Sequence, residues 1–217
     1  SEIVRPFPAR TSEVATRLDD RGEVWAALVV GLRDYVVKNN FQTVLIAISG
    51  GIDSALVAAI AVDALGAENV FAVSLPSKFS SEHSLADAAA LAANTGMHYR
   101  VIEIESMVDS FLQTIVLDGL ARENLQARVR GVTLMGISNQ EGQLVLATGD
   151  KSELAVGYST LYGDAVGALA PIKDIYKTDV WALSQWRNEQ DLLRNAGAPN
   201  PDRTITTEPS AALRTAI

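Results

Sequence analysis

The sequence predicts an α/β fold built on an open, doubly wound parallel sheet with helices on both faces. Two features of the chain predict it. Short apolar runs rich in β-branched residues alternate with longer segments of helical periodicity, and a glycine directly follows two of those helical segments. Because strands that alternate with helices imply right-handed crossovers, the strands are expected to pair in parallel.

The elements follow in order from residue 23. Trp25, Leu28, Leu32 and Val36 recur at three- and four-residue steps, which indicates a helix that ends at Asn39. Apolar runs predict four strands, at residues 43–48, 70–75, 99–104 and 143–147. Further periodic segments predict five more helices, at residues 55–65, 81–95, 106–117, 122–135 and 178–189.

Glycine and proline set the expected limits of these elements. Gly66 and Gly96 are predicted to stop the helices before them, since glycine takes the left-handed conformation at little cost. Residues 1–20 contain prolines without periodicity and are predicted to be an arm or linker. Residues 21–194 are predicted to form the domain, and residues 195–217, rich in proline and threonine, a loosely ordered tail.

Composition excludes several classes of function. The chain has 18 basic and 26 acidic residues and a net charge of −8, which argues against a nucleic-acid partner. It has no cysteine, which excludes disulfides, thiolate metal sites and a cysteine nucleophile. No apolar run is long enough to cross a bilayer and no signal peptide is evident, so we expect no membrane partner and a cytoplasmic location.

The segment after the first predicted strand has the composition of a phosphate-binding loop. Ligands of open parallel sheets lie beyond the carboxyl ends of the strands, where this segment falls. Its glycines permit close approach of a ligand, and the free amides of the following helix favour an anion. A carboxylate suits such a loop if Mg²⁺ bridges it to phosphate oxygens. The loop consists of Ser49, Gly50, Gly51, Ile52, Asp53 and Ser54.

The alternative interpretation of this loop is a tight strand-to-helix turn in which Asp53 caps the helix. The hydroxyls of Ser49 and Ser54, which add two donors, favour the phosphate loop. No lysine follows the glycines, unlike in the loop of kinases and GTPases, and a third spaced glycine, as in dinucleotide-binding folds, is missing.

This loop, SGGIDS after a hydrophobic strand, resembles the signature of ATP pyrophosphatases, which split ATP between its α and β phosphates to form an adenylate. The resemblance implies an adenine nucleotide alpha-hydrolase-like fold, which is Rossmann-like with three layers. It also implies that the six loop residues bind ATP.

Further segments resemble one member of that group, NAD synthetase. They are LPSKFSS at 75–81, NLQARVR at 124–130, TGDKSE at 148–153 with YGD at 162–164, and IKDIYKT at 172–178. Because they occur in family order, residues 21–194 are expected to be an ATP pyrophosphatase domain of the NAD synthetase type. The implied reaction amidates nicotinic acid adenine dinucleotide with ammonia, through an adenylated carboxylate, and yields NAD, AMP and pyrophosphate.

The resemblance also assigns the ATP and metal ligands. Asp53 and Glu153 are expected to hold Mg²⁺, and Asp53 and Lys177 to be catalytic. Thr148, Lys177 and Ser210 are expected to contact ATP. Without the resemblance, Glu153 would be interpreted as a solvated residue in the first turn of a helix. Lys177 would be interpreted as an ordinary surface lysine.

Asn124 and Arg128 are expected, by the same resemblance, to contact the dinucleotide substrate. They lie four residues apart and so share one helix face. That face is open to two other interpretations, a row of surface ion pairs or part of a homodimer interface. A homodimer is itself implied by the resemblance.

The residues of these motifs resemble the glutamine-dependent branch more closely, as Leu161 before Tyr162 indicates. Only a short arm precedes the domain, so we expect either an excised domain or a stand-alone form. In both cases ammonia is the expected nitrogen donor of this chain, and a glutaminase domain or subunit is a candidate partner. Ala212 stands where the family has an acidic residue. This residue leaves open an ATP-binding module without turnover. A second alternative, a pyrophosphatase that acts on a purine nucleotide or tRNA, remains because the loop is shared by several enzymes of the group.

Overall fold

The computed structural model describes residues 15, 17–78, 80–193 and 197–206. The strands are β1 (Val44–Ala47), β2 (Val70–Ser74), β3 (His98–Val101) and β4 (Leu144–Leu146). The helices are α1 (Asp20–Lys38), α2 (Ile52–Leu65), α3 (Glu82–Thr95), α4 (Glu105–Thr114), α5 (Gly119–Glu141), α6 (Lys151–Val156), α7 (Lys177–Leu193) and α8 (Asp202–Thr206), with a 3₁₀ turn at Ala67–Asn69. None of these helices is both long and apolar enough to cross a membrane.

The four strands form one parallel sheet in the order β3-β2-β1-β4. Val44 of β1 lies opposite Val70 on one side and Leu144 on the other. The chain moves outward from β1 through β2 to β3 and then returns to the other side of β1. The strand order therefore reverses between β1 and β4, and ligands of such sheets bind outside the carboxyl ends at that point.

Helices cover both faces of the sheet, which confirms the predicted three-layer fold. One core lies between the sheet and α1, α2, α3 and α7, and the other between the sheet and α4 and α5. Strand β1 serves both cores, because Val44 and Ile46 face the first and Leu45 the second. All three side chains are fully buried, as the apolar run predicted.

The predicted helix stops are confirmed, since Gly66 ends α2 and Gly96 ends α3, both with positive φ. The sequence pattern did not show α6 and α8, which have six and five residues and are too short for a helical periodicity. Asn200, in the predicted tail, is buried and bonded to Asn188. The looseness of the tail beyond 206, and the arm at 1–14, lie outside the described residues.

The partly buried carboxylate of Asp63 links α2 to α1 and α7. Asp63 accepts hydrogen bonds from Trp25 Nε1 at 2.9 Å and from Arg187 Nε and Nη2 at 2.8 and 2.9 Å. Trp25 and Trp186 pack with ring centroids 6.0 Å apart. These contacts fix α7, whose first residue is Lys177, against the rest of this layer.

Replacing Asp63 with alanine tests this tie. The change removes three hydrogen bonds and leaves the Arg187 charge with one fewer partner, so the free energy of unfolding should fall by about 2–3 kcal/mol. Urea denaturation measures it. Asp34→Ala, which breaks the exposed pair of Asp34 with Lys38, is the control and should cost less than about 0.5 kcal/mol. Equal losses for the two variants would contradict a structural role for Asp63.

Candidate functional site

A cavity of about 830 Å³ opens at the carboxyl edge of β1 and β4, where the strand order reverses. It collects the described residues predicted to bind ATP or metal. Those residues are Ser49, Gly50, Gly51, Ile52, Asp53, Ser54, Thr148, Glu153 and Lys177. Ser210, the remaining predicted ATP contact, lies outside the described residues.

The loop after β1 depends on one of its two glycines for its path. Gly50 has φ of 84°, and a Cβ there would lie 2.5 Å from the backbone oxygen of Ser84 in α3. Gly51 has an ordinary φ of −83° and is the N-cap of α2. Left-handed geometry is therefore needed at Gly50 alone, where the loop packs directly on the first turn of α3.

Serine hydroxyls brace the loop from within. Ser54 Oγ donates to the Gly51 carbonyl at 3.0 Å and accepts from the Ser49 amide at 3.3 Å. Ser49 Oγ accepts from the Gly51 amide at 3.2 Å. Ser54 is buried, so its hydroxyl shapes the loop, whereas Ser49 lies at the more exposed end.

Asp53 lies in the first turn of α2 and does not cap it, because the N-cap is Gly51 and no side chain accepts there. The alternative interpretation of the loop as a turn capped by Asp53 is therefore wrong. The carboxylate of Asp53 instead turns to Lys177, whose Nζ donates to both of its oxygens at 2.6 Å.

Lys177 Nζ stands among three carboxylates. Besides Asp53, it lies 3.0 Å from Asp150 Oδ2 and 3.8 Å from Glu153 Oε1. The interpretation of Lys177 as an ordinary surface lysine fails, since its side chain is 19% exposed. The structure brings together residues from the ends of β1 and β4 and the start of α7.

Asp150 is a member of this cluster that the sequence analysis did not single out. Its side chain is fully buried and caps α6, with Oδ1 accepting from the Glu153 amide at 2.7 Å. Glu153 Oε2 accepts in return from the Asp150 amide at 3.3 Å, which completes a capping box. The spacing of an aspartate three residues before a glutamate was the available signal.

Burial and crowding shift the pKa values of this cluster. Burial raises the pKa of Asp53 above its usual value, although Lys177 opposes the shift. Burial, and then the charge of Asp53, raise the pKa of Glu153 to about 7. Burial opposes the charge of Lys177, but its hydrogen bond to Asp53 and the carboxylates around it raise its pKa overall. The cluster thus holds more carboxylates than cations.

The predicted substrate residues Asn124 and Arg128 contact the loop at 158–164, not the cavity itself. Asn124 Oδ1 accepts from Thr160 Oγ1 at 2.8 Å, and Arg128 Nε donates to the Leu161 carbonyl at 3.2 Å. Three residues of that loop, Tyr158, Ser159 and Asp164, line the cavity. Asn124 and Arg128 therefore share a helix face, as predicted, and this face packs on a cavity wall.

Helices α3 and α8 contribute another part of the cavity wall. His83, Ser84 and Asp87 of α3 and Arg203 and Thr204 of α8 line it. Arg203 was not among the predicted site residues, because α8 is too short to show periodicity and no motif covers it.

The comparison with protein families decides the affiliation of the chain. The family model described as NAD synthase matches residues 24–217. The chain belongs to the NAD synthase family. This result confirms the resemblance drawn from the loop and the four later segments.

Individual members of the NAD synthase family are similar to this chain in sequence and structure. The glutamine-dependent NAD(+) synthetase of Synechocystis is 48% identical over 90% of this chain. The structure titled glutamine-dependent NAD+ synthetase from Acinetobacter baumannii, in complex with ADP, superposes with a TM-score of 0.86, at 46% identity over 93% of this chain. The NH3-dependent NAD synthetase of Campylobacter jejuni superposes with a TM-score of 0.75, at 35% identity over 82% of this chain.

The chain corresponds to a part of the glutamine-dependent family members. It spans 35% of the Synechocystis enzyme and 39% of the Acinetobacter baumannii chain. It covers 78% of the Campylobacter jejuni NH3-dependent chain. The resemblance therefore concerns the synthetase portion of the family.

Gly50→Ala tests the packing of the loop on α3. The variant must place a Cβ at positive φ against Ser84, so the free energy of unfolding should fall by at least about 1 kcal/mol. Gly31→Ala is the matched control, because Gly31 lies in α1 with nothing within 4 Å of an added Cβ. Alanine should stabilise that helix by about 0.5–1 kcal/mol. Thermal denaturation gives both signs, and a neutral Gly50→Ala would contradict the close packing.

The raised pKa of Glu153 tests the burial and charge crowding of the carboxylate cluster. Carbon-13 NMR of the side-chain carboxyl should give a pKa of about 7 in the metal-free protein, against a usual 4.5. Asp53→Asn removes a neighbouring negative charge and should lower this pKa, whereas Asp34→Asn should not. A raised carboxyl pKa stabilises the fold below pH 4.5, and that contribution is lost as the pH rises through about 7. A wild-type pKa near 4.5 would contradict this picture.

Proposed function

We propose that this chain is a synthetase unit that converts nicotinic acid adenine dinucleotide to NAD. ATP adenylates the nicotinate carboxylate, ammonia displaces AMP, and pyrophosphate is the other product. One observation carries the proposal. In a chain of this family, the SGGIDS loop, which includes Asp53, lines the same cavity as Lys177 and Glu153 at the strand-order reversal.

The first step needs the triphosphate of ATP held close to the substrate carboxylate. The loop at 49–54 and the first turn of α2, whose N-cap is Gly51, offer amides to phosphate oxygens. The ammonium of Lys177 lies beside the loop and would neutralise charge that develops on the departing pyrophosphate. Positioning and charge neutralisation are the main contributions a protein makes to such a transfer.

The donor set of the cavity fits magnesium bound together with phosphate. Among the residues that the structure describes, no group of three or more acidic or histidine side chains is arranged to hold a metal alone. Asp53 and Glu153 supply two carboxylates, and Mg²⁺ is commonly bound by one or two carboxylates plus substrate phosphates. When bound, the ion would supply further charge neutralisation at the phosphates.

The second step is attack of ammonia on the adenylated carbon. The resting carboxylate resists attack because it is anionic and its oxygen leaves poorly, and adenylation removes both obstacles. Asn124 and Arg128 form hydrogen bonds with the loop at 158–164. They would position this loop, at the cavity wall, to bind the dinucleotide. Thr148, at the end of β4, and Ser210 are proposed to contact ATP.

The nitrogen donor is proposed to be ammonia, whether free or delivered by a glutaminase domain or subunit. The similar proteins include both an enzyme named as glutamine-dependent and one named as NH3-dependent. A homodimer and a cytoplasmic location stay predictions of the resemblance and the composition.

An assay for NAD tests the function. The protein is incubated with the deamido dinucleotide, ATP, Mg²⁺ and ammonium, and NAD and AMP are measured by mass spectrometry. Wild type should form both in equal amounts. AMP formation that does not depend on the dinucleotide would favour another acceptor. ATP binding without AMP formation would indicate an ATP-binding module without turnover.

Asp53→Asn tests the site within that assay. Loss of this carboxylate should lower NAD and AMP formation by about 10²–10³-fold, because it removes a group that positions charge at the phosphates. The circular dichroism spectrum should stay that of wild type. Asp34→Asn, an exposed acidic residue on α1, is the control and should retain activity. Wild-type rates in Asp53→Asn would reject the assignment of this site.

A further inference from the structure

An ion pair in the wall of the cavity joins α8 to α3. Arg203 Nε donates to both carboxylate oxygens of Asp87 at 2.9 Å, and Nη2 donates to Oδ1 at 2.6 Å. Nη2 also donates to the His83 carbonyl at 3.0 Å, and Nη1 lies 3.1 Å from His83 Nδ1. Each of the three guanidinium nitrogens therefore already faces α3, and all three residues line the cavity.

The helix that Arg203 holds is the one that backs the phosphate loop. Ser84 lies one turn before Asp87 in α3, and its backbone packs so closely on Gly50 that no Cβ fits between them. A shift of the first turn of α3 would therefore remove the support behind the loop at Gly50.

The helix that carries Arg203 is in turn anchored to α7. Trp181 Nε1 donates to the Ile205 carbonyl at 2.8 Å, and Asn188 exchanges hydrogen bonds with Asn200 just before α8. Helix α7 begins at Lys177. A continuous series of contacts thus runs from Lys177, through α7, α8 and Arg203, to α3 and the loop.

We propose that Arg203 is a positioning residue for ATP, which sets the distance between the phosphate loop and Lys177 through its bidentate pair with Asp87. This inference rests on the proposed function. In the structure Lys177 also joins the loop side directly, through Asp53. When Lys177 turns to phosphate oxygens, its ion pair with Asp53 weakens. The Arg203–Asp87 pair then keeps the phosphate loop and the start of α7 at a fixed distance.

The alternative role for Arg203 is direct contact with the nucleotide. The two roles predict opposite results when Asp87 loses its charge. If Arg203 acts through α3, Asp87→Asn weakens ATP binding as Arg203→Ala does. If Arg203 binds phosphate directly, Asp87→Asn frees the guanidinium and ATP binds as tightly as before or more tightly.

The experiment measures the Kd of ATP with Mg²⁺ by isothermal titration calorimetry. Arg203→Ala and Asp87→Asn should each raise Kd about tenfold, and the double variant should be no worse than either, because all three remove one link. Arg203→Lys, which keeps the charge but loses the bidentate geometry, should fall between. The KM for ATP should rise in both single variants, while kcat at saturating ATP stays near wild type.

The control is a similar ion pair elsewhere. Arg100 pairs with Glu141 at 2.7 Å, its side chain is 42% exposed against 44% for Arg203, and neither partner lines the cavity. Arg100→Ala should leave the Kd unchanged. If Arg203→Ala does not fold, Asp87→Asn decides alone.

The outcomes separate the two proposals. A wild-type protein that does not bind ATP overturns the proposed function and this inference with it. A wild type that binds ATP and makes NAD, with an unchanged or lower Kd in Asp87→Asn, overturns only the positioning role.

Discussion

The ion pair between Lys177 and Asp53 is the interaction on which the site depends. It joins residues 124 positions apart: Asp53, in the first turn of α2, and Lys177, at the start of α7. Around it, the buried Asp150 and the partly buried Glu153 also lie close to the ammonium of Lys177, at 3.0 and 3.8 Å. The cluster therefore holds two segments together and places three carboxylates around one ammonium group.

The sheet brings these groups together. Because β1 is buried on both faces and lies between β2 and β4, its carboxyl end opens at the reversal of strand order, beside that of β4. The loop at 49–54 leaves one strand and Asp150 follows the other. The layer of α1, α2 and α7, joined by Asp63, then fixes the start of α7 at the same edge.

Much of this arrangement was readable in the sequence. The apolar strands, the helix-stopping glycines and the SGGIDS loop are local patterns, so the fold and the residues around Asp53 could be predicted. The role of Asp150 could not, because its burial under Lys177 is a tertiary fact and its neighbours alone suggest a surface pair. Arg203 was missed for a related reason, since a five-residue helix has no period and its partner Asp87 lies 116 positions away.

The buried position of Asp150 also bears on which form of the nucleotide the pocket accepts. Its side chain has no exposure to water, and Lys177 is its nearby counter-charge. A bare nucleotide that drew the lysine away would strand an anion in a medium of low dielectric constant, which is costly. On the proposed function, a divalent ion bound to ATP would neutralise part of the phosphate charge and leave Lys177 closer to Asp150, so we expect the pocket to favour the metal chelate over the free nucleotide.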